Sequence, residues 1–431
     1  MDKKELRKHF VHSLNRTLNS VISPTPYLLI TGGDNVGVKF LDGKGRLPVP
    51  GSTEVTTLDF DLASLFFDDF HILREGVTGI GKTYGADALL NTVFGPEGYC
   101  SIRLNGGALG SSATDPWRAE PTKEQPFPKI DPEKLSQYGA VFIDEINRGE
   151  PNKVFQVVDG ELKEGGKTYY LRIPIPGTDR FKGLAIIAAM NPPSSQYTGA
   201  LDLDLAGENR FLKFKFPNGV AQAGSSQLKK KAATGELHDK FWKEFRENTG
   251  LKGGWKEIYP VVADPEQFSQ DLDGETKEFL DVVLGYVGNN PQETYEANKE
   301  LMEQGGVNPR FSIRKDSDLD KILKAQNALK HGFVRRDLKK ISNLARLIGF
   351  IKGVKTGSYN TSVGLDDVAA SLGIVLESKA ITGSEHGDLM VLVNDARKAY
   401  KELTGQNKAE KLGLRETIWQ AAVFAGKKIW F

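Results

Sequence analysis

The feature that most constrains this 431-residue chain is the run Gly76-Val-Thr-Gly79-Ile-Gly81-Lys82-Thr83, which fits the pattern G-x-x-x-x-G-K-[ST]. Glycines at these intervals let the backbone curl until its N–H groups face a phosphate chain. The lysine supplies a point charge to the β- and γ-phosphates, and the hydroxyl after it is placed to ligate Mg²⁺. The run follows an apolar stretch, Phe70-His-Ile-Leu-Arg74, and precedes a helix-compatible one, Tyr84 to Val93. Strand, loop and helix in that order are what a nucleotide-binding loop requires. The expected nucleotide contacts are Gly76, Thr78, Gly79, Ile80, Gly81, Lys82 and Thr83; the rival reading is an ordinary glycine turn before a helix.

A second motif answers the first. Val141-Phe-Ile-Asp144-Glu145 is a short apolar strand ending in two carboxylates, 144 − 82 = 62 residues beyond the lysine. Asp144 can hold a Mg²⁺ ion and its water shell, and Glu145 can orient and deprotonate an attacking water. Alone, such a run is usually a strand entering a solvated loop. In this register after a phosphate loop it predicts hydrolysis of Mg-ATP. Neither Asn152-Lys153 nor Asn298-Lys299 is followed by the aspartate of a guanine-recognition Asn-Lys-x-Asp motif, which favours ATP over GTP.

Charge excludes little but points one way. Lys+Arg 57 against Asp+Glu 56 leaves +1, so there is no global reason to expect a nucleic acid or an anionic membrane as partner. The single cysteine, Cys100, rules out an internal disulfide and fits a reducing, cytoplasmic compartment. The first residues carry both signs of charge and predict no secretory signal. No apolar run approaches the roughly 20 residues of a membrane span.

The organisation reads as four parts. Lys3 to Val21 predicts an amphipathic helix with Leu6, Phe10, Val11, Leu14 and Leu18 on one stripe, stopped by Pro24 and Pro26. Short strands at Tyr27–Ile30 and Val36–Leu41 complete a small N-terminal α/β addition over 1–55. Over 56–218, apolar strands (Phe70–Arg74, Val141–Asp144, Leu184–Met190) alternate with helical stretches. That alternation predicts a parallel sheet with helices on its faces, and with the phosphate loop it makes an α/β P-loop NTPase fold, a parallel sheet sandwiched by helices. Residues 219–385 read as an all-α lid domain, with Phe279–Tyr286 and Leu338–Ile351 the clearest helices. Residues 386–431 read as a C-terminal helical extension (Asp388–Leu403, Arg415–Lys428).

Phe142-Ile-Asp-Glu-Ile-Asn-Arg148 resembles the Walker B segment of the MoxR-like AAA+ ATPases, a clade close to the gas-vesicle and Rubisco-activation ATPases and the magnesium-chelatase motor subunit. Glu161 to Lys182 is similar to the β-hairpin that clade inserts before its next strand. Asn191, in Ala188-Ala-Met-Asn-Pro-Pro193 and 191 − 144 = 47 residues on, resembles the sensor-1 strand end. The resemblance implies that its carboxamide holds the attacking water or the γ-phosphate; a turn-forming Asn is the rival. Glu208-Asn209-Arg210-Phe211 is similar to the segment whose arginine reaches into the neighbouring subunit's nucleotide, with Asn209 where an aspartate is usual. Arg336 to Gly353 resembles the sensor-2 helix, which implies that Arg336 touches the γ-phosphate from the lid. Arg310, Arg314 and Arg335 stay open as rivals for that role.

The resemblance implies catalytic roles for Glu145, Asn191, Arg210 and Arg336, with ATP and Mg²⁺ as cofactors and Thr83 and Asp144 at the metal. It implies a homo-oligomeric, hexameric ring that couples hydrolysis to remodelling or activation of a protein partner. The alternative is a DNA-directed AAA+ motor of McrB-like or virus-encoded type. Lys229-Lys-Lys231 reads as a solvated helix face before a nucleic-acid contact. Trp117, Tyr169 and Tyr170 could grip a substrate chain, with ordinary packing the plainer reading. The sequence has no Asp-x-Ser-x-Ser set, so no fused metal-dependent adhesion domain is expected.

Overall fold

The computed structural model describes residues 1–22, 26–30, 38–40, 53–68, 70–105, 108–109, 118–119, 129–130, 132–148, 151–164, 166–192, 203, 205–215, 234–264 and 335–356, together with positions 363, 367, 370, 371, 374 and 375. Helix α1 (Lys3–Asn19) is capped by Asp2, whose carboxylate accepts from the Glu5 N–H at 2.7 Å. Strands β1 (Pro26–Ile30), β2 (Val38–Phe40) and β3 (Thr53–Thr56) form a small antiparallel sheet in the order β2-β1-β3. Helix α2 (Thr57–Phe66) starts behind a capping box in which Thr56 and Asp59 satisfy each other's backbone N–H.

Strand β4 (His71–Glu75), α3 (Lys82–Phe94) and β5 (Tyr99–Asn105) follow, then short β6 (Ala108–Leu109), β7 (Arg118–Ala119) and β8 (Lys129–Ile130). A single turn, α4 (Pro132–Leu135), precedes β9 (Ala140–Asp144), a 3₁₀ turn at Ile146–Arg148 and α5 (Pro151–Val158). The single hairpin expected over 161–182 is two in succession. Strand β10 (Glu161–Glu164) pairs with β11 (Lys167–Tyr170), and β12 (Arg172–Pro174) pairs with β13 (Phe181–Gly183). Each is closed by a glycine in the left-handed region, Gly166 at φ 76° and Gly177 at φ 74°, a conformation glycine adopts without strain. Strand β14 (Ala185–Met190), α6 (Leu205–Glu208), β15 (Phe211–Lys215), α7 (Glu236–Thr249), α8 (Trp255–Val262) and α9 (Arg335–Thr356) complete the described elements.

The main sheet runs β15-β4-β14-β9-β5-β6; its first five strands are parallel and β6 is antiparallel to β5. Every residue of β14 is buried, as a central parallel strand requires, and this explains the unbroken apolar run Ala185–Met190. This is the P-loop NTPase fold that the alternation predicts. A parallel sheet gathers the C-terminal ends of its strands at one end. Register pairs Met190 with Glu75 and Ile143 with Ala188, so the loop after β4, the carboxylates after β9 and Asn191 after β14 share one edge.

Packing runs across the boundaries expected at residues 55 and 218. Phe10 of α1 meets Phe66 of α2, Phe241, Trp242 and Phe245 of α7, and Tyr259 of α8. The Trp242 indole donates to the Val93 carbonyl of α3 at 2.8 Å, and the Tyr259 hydroxyl to that of Leu65 at 2.8 Å. Helices α1, α7 and α8 are therefore part of the core beside the sheet. The expected helix at Leu338–Ile351 lies within α9, with Leu344, Ala345, Leu347 and Ile348 fully buried. Phe279–Tyr286, Asp388–Leu403, Arg415–Lys428, Trp117, Lys229–Lys231, Arg310 and Arg314 lie outside the described residues. Among the described residues no helix is long and apolar enough to cross a membrane.

Candidate nucleotide site

The loop leaves β4 at Gly76, whose N–H donates to the Met190 carbonyl at 3.3 Å, and it enters α3 at Lys82. Gly79 (φ 90°) and Gly81 (φ 89°) are left-handed, conformations that strain a residue bearing Cβ. Gly81 caps α3 with no side-chain hydrogen bond, so the first-turn N–H groups face the loop's hollow. Orphan N–H groups and the positive end of the helix dipole make such an end an anion site. Ile80, between the two glycines, is buried.

Lys82 is folded into that hollow. Its ammonium donates to the carbonyls of Gly76 at 2.5 Å and Val77 at 2.8 Å, and to Asn191 Oδ1 at 3.1 Å. Burial pulls its pKa below the ordinary lysine value, against the opposing charges of Asp144 and Glu145. Thr78 Oγ1 also approaches Asn191 Oδ1, at 3.5 Å. The Asn191 backbone is held in turn, because Asn147 Nδ2 donates to its carbonyl at 3.0 Å.

On the other side of the loop, Thr83 Oγ1 donates to Asp144 Oδ1 at 3.4 Å. A hydroxyl and a carboxylate oxygen so placed are hard donors suited to Mg²⁺. Among the described residues no group of three His, Cys, Asp or Glu side chains could hold a metal. The donor set therefore fits an ion that takes its remaining ligands from phosphate and water, as Mg²⁺ does. Thr83 and Asp144 would hold Mg²⁺, which would offset negative charge developing on the phosphates.

Glu145 is the only non-glycine described residue with positive φ, 54°. Its N–H donates to Asp144 Oδ1 at 3.1 Å, and its carboxylate lies 3.5 Å from Arg148 Nε. A non-glycine residue in the left-handed region costs roughly 1–3 kcal/mol and clusters at functional positions.

The two arginines stand elsewhere. Arg210 directly precedes β15, whose first residue pairs with His71, at the opposite end of the sheet from the loop. Five strand residues rise roughly 13 Å, so Arg210 is a full strand length from its own chain's loop. It donates from Nε and Nη2 to Asp159 at 2.8 and 2.6 Å. Arg336 lies 3.8 Å from the same carboxylate. Helix α9 starts at this far end, where Lys340 Nζ donates to the Phe211 carbonyl at 2.8 Å. The structure thus joins Lys82, Thr83, Asp144, Glu145 and Asn191, and separately Arg210 and Arg336. Arg336, expected to touch the γ-phosphate from the lid, stands beside Asp159 and Arg210 at this far end.

Sequence reasoning missed three contributors. Arg74 of β4 is buried, pairs bidentately with Asp61 of α2, and donates from Nη1 to the Lys82 carbonyl. Its signal was an arginine inside an apolar strand, which demands a buried partner. Asn147 sits inside the Walker B-like run, where its type alone marks a turn. Asp159 precedes Gly160 and reads as a turn pair.

Neither a family model nor a curated protein sequence matches the chain. Among solved structures it is similar to a candidate ATPase from Cytophaga hutchinsonii, at 13% identity and a TM-score of 0.48, over 97% of this chain and 96% of that one. It is also similar to a full-length MCM homologue from Methanopyrus kandleri, at 15% identity and a TM-score of 0.39, over 75% of this chain and 55% of that one.

Proposed function

We propose that this chain is a Mg²⁺-dependent ATP hydrolase of the AAA+ type, resembling the MoxR-like clade, which works as a ring and spends the hydrolysis on remodelling a protein partner. The observation that carries the reading is the convergence of three separate segments: Lys82 touches Asn191 at 3.1 Å while Thr83 touches Asp144 at 3.4 Å. Loop amides and Lys82 hold the triphosphate, Thr83 and Asp144 hold the metal, Asn191 holds the water, and Glu145 takes its proton.

Arg210 supports the ring. It is out of reach of its own loop, and with Arg336 it forms a cationic pair on one face. An arginine supplied by a neighbour stabilises charge on the transferred phosphoryl group and is worth about 10³–10⁵ in turnover. Hydrolysis should accordingly rise with protein concentration as subunits assemble, and Arg210→Ala should assemble yet turn over about 10³-fold more slowly. An Arg210→Ala protein with normal turnover would remove the ring from the account. The near-neutral charge supports a protein over DNA as the partner; a large, salt-sensitive stimulation of hydrolysis by DNA would reverse that choice.

A further inference from the structure

We infer that Asp159 is a positioning residue that binds Arg210 and Arg336 into one clamp for the phosphates held by the neighbouring subunit; the inference rests on the ring reading above. Asp159 closes α5: its N–H donates to the Phe155 carbonyl at 2.8 Å, the Gly160 N–H to that of Val157 at 3.1 Å, and Leu171 N–H to the Gly160 carbonyl at 2.9 Å. The carboxylate is therefore carried by a fixed turn at the junction of a helix and a hairpin. It takes the Nε and Nη2 edge of Arg210 in a two-point bond, at 2.8 and 2.6 Å. The Phe155 ring lies under the same guanidinium, 4.9 Å from its carbon.

A two-point bond on one edge and a ring on one face fix both the plane and the direction of the group. Arg336 Nη2 then stands 3.8 Å from Asp159 Oδ1, its side chain 56% exposed. Two guanidiniums this close repel one another, and one carboxylate between them offsets that repulsion while leaving a net positive charge to meet phosphate. A pair this accessible adds little to stability, so a purely structural role would leave turnover untouched. Positioning makes a different demand, since a displacement of about 1 Å in a group that meets the transition state costs up to roughly 100-fold in rate.

The test uses whole protein. Asp159→Ala should fold, assemble and bind ATP with unchanged affinity, while kcat falls roughly 10- to 100-fold. Asp159→Asn, which keeps one acceptor, should fall between. In an Arg210→Ala background Asp159→Ala should cost less than it does alone, because only Arg336 is left for it to hold. Mixing Asp159→Ala with Lys82→Ala protein should restore turnover, because a Lys82→Ala subunit lends an intact clamp to the intact loop of its neighbour. Normal kcat in Asp159→Ala overturns the inference. So does failure of that mixture when an Arg210→Ala and Lys82→Ala mixture recovers. Failure of both mixtures overturns the ring reading and the inference with it.

Discussion

Lys355, in the last turn of α9, donates to the Asp59 carboxylate at 3.0 Å across 296 residues of sequence. Asp59 caps α2, and two residues on Asp61 grips Arg74, which holds the Lys82 carbonyl. Helix α2 thus stands between α9 and the phosphate loop. Arg74 and Asp61 are almost wholly buried, and removing one partner of such a pair strands a charge. Asp61→Ala should destabilise the protein by about 3–5 kcal/mol, whereas the double replacement Asp61→Leu with Arg74→Met should cost less than either single change. Lys355→Ala should cost less than Asp61→Ala, because Lys355 is partly exposed and the buried Asp59 carboxylate keeps its bonds from Thr56. Denaturant titration of the native protein, Asp61→Ala, Asp61→Leu, Arg74→Met, the double replacement and Lys355→Ala checks the order.

The backbone of Glu145, at φ 54°, separates stability from catalysis. Glycine at this position should be more stable than alanine by about 1 kcal/mol, since only alanine carries the Cβ penalty of the left-handed region. Both variants should lose hydrolysis, because both lack the base. Paired melting curves and turnover assays of Glu145→Gly and Glu145→Ala check both halves; alanine melting above glycine would contradict the strain.

His71 gives the fold a pH dependence. Burial first, then Lys182 and Lys340, push its pKa down to about 4, against the Val158 hydrogen bond and the charge of Asp159. In the unfolded chain it titrates near 6.5, so between those values only the unfolded state takes up the proton. The folded state is therefore favoured above pH 6.5 and loses stability as pH falls towards 4, by up to about 3 kcal/mol. His71→Gln should flatten stability against pH in that window relative to the native protein. An unchanged slope would show that other groups carry it.

Phe10 tests whether the N-terminal helix is an accessory. It is fully buried among five aromatic rings from α2, α7 and α8. Phe10→Ala should cost about 3–5 kcal/mol and lower the melting temperature of the whole protein in one transition. A separate early transition that spares nucleotide binding would contradict the shared core.

What was legible in the sequence was local. The loop from Gly76 to Thr83 and the strand ending at Asp144 and Glu145 each announce themselves within ten residues, because backbone curvature and strand termination depend on neighbours. Parallel pairing then brings them together almost automatically. Asp61 with Arg74, Asp159 with Arg210, and Phe10 with Trp242 were not legible, since each pair joins elements whose proximity is set by packing. Arg336 shows the same limit. Its helix was recognisable from spacing, but its place beside Asp159 depends on where Lys340 and Lys355 anchor α9.

In the proposed site a triphosphate lies along the amides around Lys82 while Glu145 activates water beside it. The most direct measurement compares ATP binding and single-turnover hydrolysis in the native protein and Glu145→Gln. The variant should bind Mg-ATP with near-native affinity and hydrolyse it at least about 10²-fold more slowly. Native protein that binds no adenine nucleotide, or a variant that hydrolyses ATP at the native rate, would contradict it.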